Sequence, residues 1–308
     1  MIVPRRPGLG GLVADVALGR RLRAARYDLA IDFHGGPRAS LLTFLSRAPV
    51  RVGYNVPGRR WMYTRVVDRP RELRARHSVV NQWDLLRALD IDPPSPARNP
   101  VEMPLDADAV ADVDARLTAA GVTQANDIVV VHVSASSPFR RWPLASFIDM
   151  VAALASGPGR RVIVTAGPSE HRAANDVIEG ARGRLPAAER ERVLDCGDFS
   201  LAELRALIER SAVYIGGDSG PLHIAATSRA PIVALFGPTP SERSAPWRDP
   251  AFIAELVEVD GLPCRPCDQR VCEPGDFRCL TRIDAPRVVA AAERAIAAGH
   301  AGPGGGPA

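Results

Sequence analysis

Lysine is absent: all 39 basic residues of the 308-residue chain are arginine. In a chain rich in Ala, Gly and Pro this reflects composition bias. A single arginine then says little about mechanism, although the two cations are not interchangeable at tight sites. No run approaches the roughly 18 uninterrupted apolar residues of a membrane span. The opening MIVPRRPGLGGL holds no apolar core of secretory-signal length, so a cytosolic location is the expectation. No G-x-G-x-x-G follows a strand-like run, which disfavours a Rossmann dehydrogenase. Nor is there an aromatic-interleaved basic patch or a recognition-helix pattern, and no nucleic-acid partner is expected.

What is present is a soluble globular composition, 46% hydrophobic and 24% charged, on a chain long enough for two domains. The net charge of +4 hides an asymmetry: residues 1–105 carry 18 Arg against 9 acids (+9), residues 106–308 carry 21 against 26 (−5). A solvated surface in an arginine-rich chain accounts for this. So does a first domain that faces an anionic partner such as a phosphorylated glycolipid or a membrane surface.

The second half alternates strands and helices. Strands are predicted at 127–133 (DIVVVHV), 161–166, 193–196, 212–215 and 231–236, the apolar runs reading as strands buried on both faces. Helices are predicted from Pro143, over 170–184, from the capping box Ser200-Leu-Ala-Glu203, and over 219–228. The first half shows a strand at 27–33, a helix at 38–45, a strand at 51–53 and a helix at 79–89. The pattern is that of doubly wound parallel sheets. The domains are placed at 1–105 and 106–298, with a proline-rich approach to the linker at 93–104 and a disordered tail over 299–308.

Ligands of such sheets bind at the carboxyl ends of strands. Three loops meet that condition: residues 134–142 (SASSPFRRW), Gly167–Glu170, and residues 216–223 (GGDSGPLH). Hydroxyls, arginines and helix-opening N–H groups there suit a pyrophosphate, Gly220 admits close backbone approach, and an acid can hold sugar hydroxyls. Asp218 and Ser219 also read as a plain helix cap, and His223 as a buried core histidine.

The stretch from Val213 to Pro240, with Asp218-Ser219-Gly220, His223, Ala225-Ala226 and Phe236-Gly237-Pro238-Thr239, resembles the glycosyltransferase family of the ADP-heptose:lipopolysaccharide heptosyltransferases. The resemblance extends to Arg140-Arg141-Trp142-Pro143, Gly167–Glu170, Phe199-Ser200-Leu201, residues 27–42 and residues 51–55. It implies a GT-B architecture, two Rossmann-like domains facing a cleft, without a required metal. It implies an inverting transfer of a heptose or related sugar from an ADP-sugar to a lipopolysaccharide inner-core acceptor at the inner face of the cytoplasmic membrane. On the donor side it places Asp218, Ser219, Gly220 and His223 at the sugar and diphosphate, and Ser136 and Ser137 at phosphate. Arg140, where relatives carry Lys, falls at the leaving group, Glu170 at the ribose and Phe199 at the base. His34, Arg38, Arg59 and Arg60 are acceptor-side candidates by position. A non-catalytic nucleotide-sugar-binding relative and a nucleotide-sugar epimerase remain alternatives, the latter without its Glu and His pattern.

Cys264, Cys267, Cys272 and Cys279 put four thiols in sixteen residues, a spacing that suits a structural zinc or a set of free structural thiols. The family's catalytic Asp, in a Gly-Asp turn after a first strand, has no counterpart. Asp15 lies in a helix-like stretch and Asp32 in a strand, and neither is taken as the base. Only 26 residues precede YDLAIDF, whereas a complete half needs two or more βα units. The first domain is therefore expected to be incomplete at its N-terminal end, with an exposed apolar edge, and the chain to bind donor but turn over little.

Overall fold

A computed structural model of the chain describes residues 9–68, 76–133, 135, 137–267 and 269–301. It divides into two compact units, Met1–Pro94 and Ser95–Ala308. The division falls inside the proline-rich stretch, whose later residues are tied to the second unit. Trp247 Nε1–H donates to the Asn99 carbonyl (2.7 Å), and the Val101 N–H to the Trp247 carbonyl (3.1 Å).

The first unit runs α1 (Leu9–Ala24), β1 (Leu29–Ile31), α2 (Pro37–Leu45), β2 (Val50–Tyr54), β3 (Arg65–Val67) and α3 (Ser78–Arg87). Its three strands pair in parallel in the order β1-β2-β3. Strand β1 is shorter than the apolar run suggests, because buried Asp32 ends it. Its Oδ1 accepts from the N–H groups of His34 (3.0 Å) and Gly35 (2.8 Å). Its Oδ2 accepts from Ser40 Oγ (3.2 Å) and Tyr63 OH (2.6 Å). A carboxylate bonding its own following backbone makes a turn, and Gly35 supplies the left-handed φ of +70° that the turn requires. Burial, and then the Asp32 hydrogen bond, pushes the Tyr63 phenol up to about 12. Strand β1 forms the edge of this sheet, with Tyr27, Leu29 and Phe33 exposed along and beside it.

Tyr63 lies flat on Gly53 of β2: an ideal Cβ there would stand 2.3 Å from the ring carbons Cε1 and Cζ. Two hydrogen bonds hold that ring, so it cannot yield. Gly53→Ala is therefore expected to cost about 2–3 kcal/mol by overpacking, read as a lower urea midpoint by tryptophan fluorescence. An unchanged midpoint would show that the ring is free to move.

The second unit carries α4 (Ala107–Ala119), β4 (Asp127–His132), α5 (Leu144–Ala155), β5 (Arg160–Thr165), α6 (His171–Arg184), β6 (Val193–Leu194), α7 (Leu201–Glu209) and β7 (Val213–Gly217). Then follow α8 (Gly220–Ala225), β8 (Ile232–Phe236), α9 (Ser241–Ser244), β9 (Ala254–Glu258), α10 (Arg278–Thr281) and α11 (Ala285–His300). Its strands form one parallel sheet, β6-β5-β4-β7-β8-β9. Continuous apolar runs are explained by two cores. Val129 and Val131 of β4, Val213 and Ile215 of β7, and Val233 and Leu235 of β8 enter one, covered by α5, α6 and α11. The alternate residues Val130, Tyr214, Ile232, Ala234 and Phe236 enter the other, with side chains of α4, α7 and α8. Each Val, Leu, Ile or Phe among them removed from water contributes about 1.5–3 kcal/mol before chain entropy is counted. The capping box of α7 forms in full, Ser200 Oγ accepting from the Glu203 N–H and Glu203 from the Ser200 N–H. Helix α11 continues to His300, so the tail does not begin at Gly299; residues 302–308 lie outside the described residues. No described helix is long and apolar enough to cross a membrane.

Candidate active site

The strand order of the second unit is that of a Rossmann fold, and the order reverses between β4 and β7. Ligands of open α/β sheets sit outside the carboxyl ends of strands at such a point. Strand β4 feeds the loop 133–142, which contains a 3-10 turn, Pro138–Arg140. Strand β7 ends at Gly217, followed by Asp218. A Cβ on Gly217 would sit 3.4 Å from the Arg140 carbonyl oxygen, so the two loops converge there to contact distance.

Asp218 is buried, and its Oδ2 lies 3.3 Å from Arg140 Nη1 without accepting a hydrogen bond. The Oγ of Ser219 is likewise buried and without a partner. Neither side chain caps α8, so the plain-cap alternative does not describe this turn. Buried polar atoms left unpaired cost about 1–3 kcal/mol each, and such atoms call for an explanation. A Cβ on Gly220 would meet nothing within 4 Å and its φ lies outside the left-handed region, so the chain itself does not require glycine there. His223 is solvent-accessible rather than a core residue. Partial desolvation by the surrounding protein, reinforced by Arg140 and opposed by Asp218, lowers its pKa.

The remaining donor-side candidates are more dispersed. Ser136 lies outside the described residues; Ser137 precedes the 3-10 turn and its side chain makes no cap bond. Glu170 stands at the N-cap of α6 and pairs with Arg141 (2.7 Å), a residue of the matching stretch given no role from sequence. Phe199 packs against the second core with the Arg116 guanidinium 5.2 Å from its ring centroid. Sequence patterns also missed Gln269, which accepts from Arg140 Nε–H at 2.8 Å and donates to Thr239 Oγ1 at 3.2 Å. No periodicity or spacing signals a contact between residues so far apart in the chain.

In the first unit, Arg38 forms a bidentate bond with Asp15 (2.6 and 2.9 Å), which neutralises it. Arg59 donates to the Gly35 carbonyl (3.1 Å), and His34 and Arg60 are exposed. Asp15 and Asp32 are both engaged, so neither is offered as a general base.

The four clustered cysteines are half-buried thiols lining one cavity of about 340 Å³, together with Phe139, Pro238 and Phe277. Burial, then the neighbouring Cys267, Cys264 and Cys272, pushes the Cys279 thiol up. Among the described residues no three His, Cys, Asp or Glu side chains are arranged to hold a metal ion.

Fold and site together define a Rossmann-type α/β protein whose switch point sets an arginine against a buried acid and an unpaired hydroxyl. The chain belongs to glycosyltransferase family 9 (heptosyltransferase), whose family model matches residues 16–275. It is 27% identical over 282 residues to lipopolysaccharide heptosyltransferase 3 of Escherichia coli, covering 89% of this chain and 77% of that one. A family 9 glycosyltransferase from Veillonella parvula superposes with a TM-score of 0.79 at 19% identity, over 97% of this chain and 82% of the other. The E. coli ADP-heptose lps heptosyltransferase II superposes with a TM-score of 0.73 at 19% identity, over 94% and 82%. The protein is a glycosyltransferase with the GT-B class of fold.

Proposed function

We propose that the chain transfers a heptose from an ADP-sugar to a lipopolysaccharide core acceptor, with inversion at the anomeric carbon. The observation that carries this is the turn 217–220. Asp218, ion-paired with Arg140, and the following Ser219 hold buried oxygens that accept no hydrogen bond, and Gly220 opens onto empty space, an arrangement that suits a sugar diphosphate. The similarity to enzymes named as lipopolysaccharide and ADP-heptose transferases supports the same donor and acceptor. In this scheme Arg140 offsets the charge that grows on the departing diphosphate, and Asp218 and Ser219 orient the sugar. Glu170 and Phe199 are assigned to ribose and base.

The acceptor is assigned to the basic first unit as an anionic glycolipid, met with the protein peripheral on a membrane surface. What supports this is an exposed aromatic-cationic patch. Trp61 stands edge-on to Phe44 at 5.0 Å, and the Arg47 guanidinium lies 4.9 Å from the Phe44 centroid. Thermal unfolding against a panel of nucleotides tests the donor. ADP and ADP-heptose at a hundred times Kd are expected to stabilise by about 2.7 kcal/mol, with UDP and GDP giving much less. Equal response to all three nucleotides, or none, would sink the donor assignment; transfer of labelled heptose to an inner-core glycolipid tests the acceptor.

A further inference from the structure

The segment that carries four cysteines, between β9 and α11, reaches back to Arg140 through the side chain of Gln269. We propose that Gln269 is a positioning residue for the donor diphosphate, holding the Arg140 guanidinium in orientation without neutralising it. This rests on donor binding at Arg140 and Asp218.

Gln269 adopts a left-handed φ of +59°, a conformation costly for a side-chain-bearing residue unless contacts fix it. Its carboxamide bridges two loops: Oε1 accepts from Arg140 Nε–H (2.8 Å), and Nε2–H donates to Thr239 Oγ1 (3.2 Å). With Nε engaged, the plane of the guanidinium is set, and Nη1 comes to 3.3 Å from Asp218 Oδ2. The segment behind Gln269 is braced on both loops. Arg265 donates to the carbonyls of Thr239 (3.0 Å) and Val259 (3.2 Å) and pairs with Glu258. The Phe277 ring packs on Phe139, the neighbour of Arg140, at 5.5 Å between centroids.

The residue type matters as much as the contact. A carboxylate at 269 would accept the same Nε–H but would cancel the charge that a diphosphate needs. The neutral amide fixes the cation and leaves its charge in place. Asp218 already balances the formal charge of Arg140, and a second carboxylate would leave the cluster net negative and repel an anion.

Two variants separate positioning from bracing, with ADP affinity measured by calorimetry and thermal unfolding measured alongside. Gln269→Ala frees Arg140 but keeps its charge, and is expected to weaken ADP binding about three- to fivefold; Gln269→Glu keeps the hydrogen bond and is expected to weaken it tenfold or more, by roughly the charge coupling of a close pair. Both are expected to unfold near the wild-type temperature. In transfer assays the Glu variant should lose more in kcat than in KM, since the lost charge matters most as the leaving group departs. If Gln269→Glu binds ADP as the wild type does while Gln269→Ala is impaired, Gln269 is a structural brace and the proposal fails. It also fails if both bind ADP normally. A wild-type protein that does not bind ADP would instead remove the donor reading beneath it, an outcome that the variants cannot mimic.

Discussion

Asp218→Asn is expected to lower transfer by a hundredfold or more, equivalent to about 2.7 kcal/mol of transition-state stabilisation, while leaving the melting temperature unchanged or raising it. The direction on stability follows from burial. Asp218 Oδ2 is enclosed and accepts no hydrogen bond, and the Arg140 that pairs with it is itself partly exposed. Removing that charge relieves a desolvation cost in the ligand-free protein. It also removes the group that would orient the sugar. A residue kept for folding would behave in the opposite way. A variant that melts several degrees lower yet transfers sugar normally would refute the assignment of Asp218 to the site.

Much of this was legible in the sequence because the second unit is built by local rules. Uninterrupted Val and Ile runs can only be strands covered on both faces, and Ser200 with Glu203 writes a helix start into four residues. The Asp-Ser-Gly-x-x-His turn after β7 was visible for the same reason, falling where a parallel sheet presents its ligand edge. Three features were not legible. Strand β9 is an edge strand reading AELVE, whose glutamates at 255 and 258 give neither an apolar run nor a period-two alternation. Strand β3 is only three residues long. The pairing of Arg140 with Gln269, and of Glu170 with Arg141, depends on where loops converge after the sheet has formed, and no local pattern encodes that. Asp32 lay in plain view, but its four donors come from residues as distant as Tyr63.

Acidification is expected to destabilise the second unit through His132. This residue ends β4, buried, with Nδ1 3.0 Å from Thr165 Oγ1. Thr165 Oγ1 donates to the Val131 carbonyl (3.3 Å), so it accepts from a neutral imidazole carrying its proton on Nδ1. Burial lowers the His132 pKa from 6.5 to about 4. The folded protein therefore keeps this group neutral while the unfolded chain takes up a proton near 6.5. Its contribution is complete above that pH and is lost as pH falls from there toward 4, a total of about 3 kcal/mol. Urea midpoints at pH 4.5 and 7.5 check this. His132→Gln should show a clearly smaller loss between the two pH values than the wild type, whatever its absolute stability. Parallel losses in both proteins would assign the acid sensitivity to other groups.

The adjacency of β4 and β7 has a consequence for how the chain reaches its native state. The two strands that carry the donor loops are neighbours in space but are separated along the chain by α5, β5, α6, β6 and α7. Their pairing closes a long loop, and its entropy must be met before the contact is made. Hairpin-free parallel topology offers no shortcut, so the helices and the β4–β5 pair are expected to form ahead of the β4–β7 seam. Arg140 and Asp218 cannot meet until that seam has closed. Binding at the proposed donor site is therefore expected to arise only after that seam has closed, and ADP present during refolding is expected to stabilise the finished unit without accelerating its assembly.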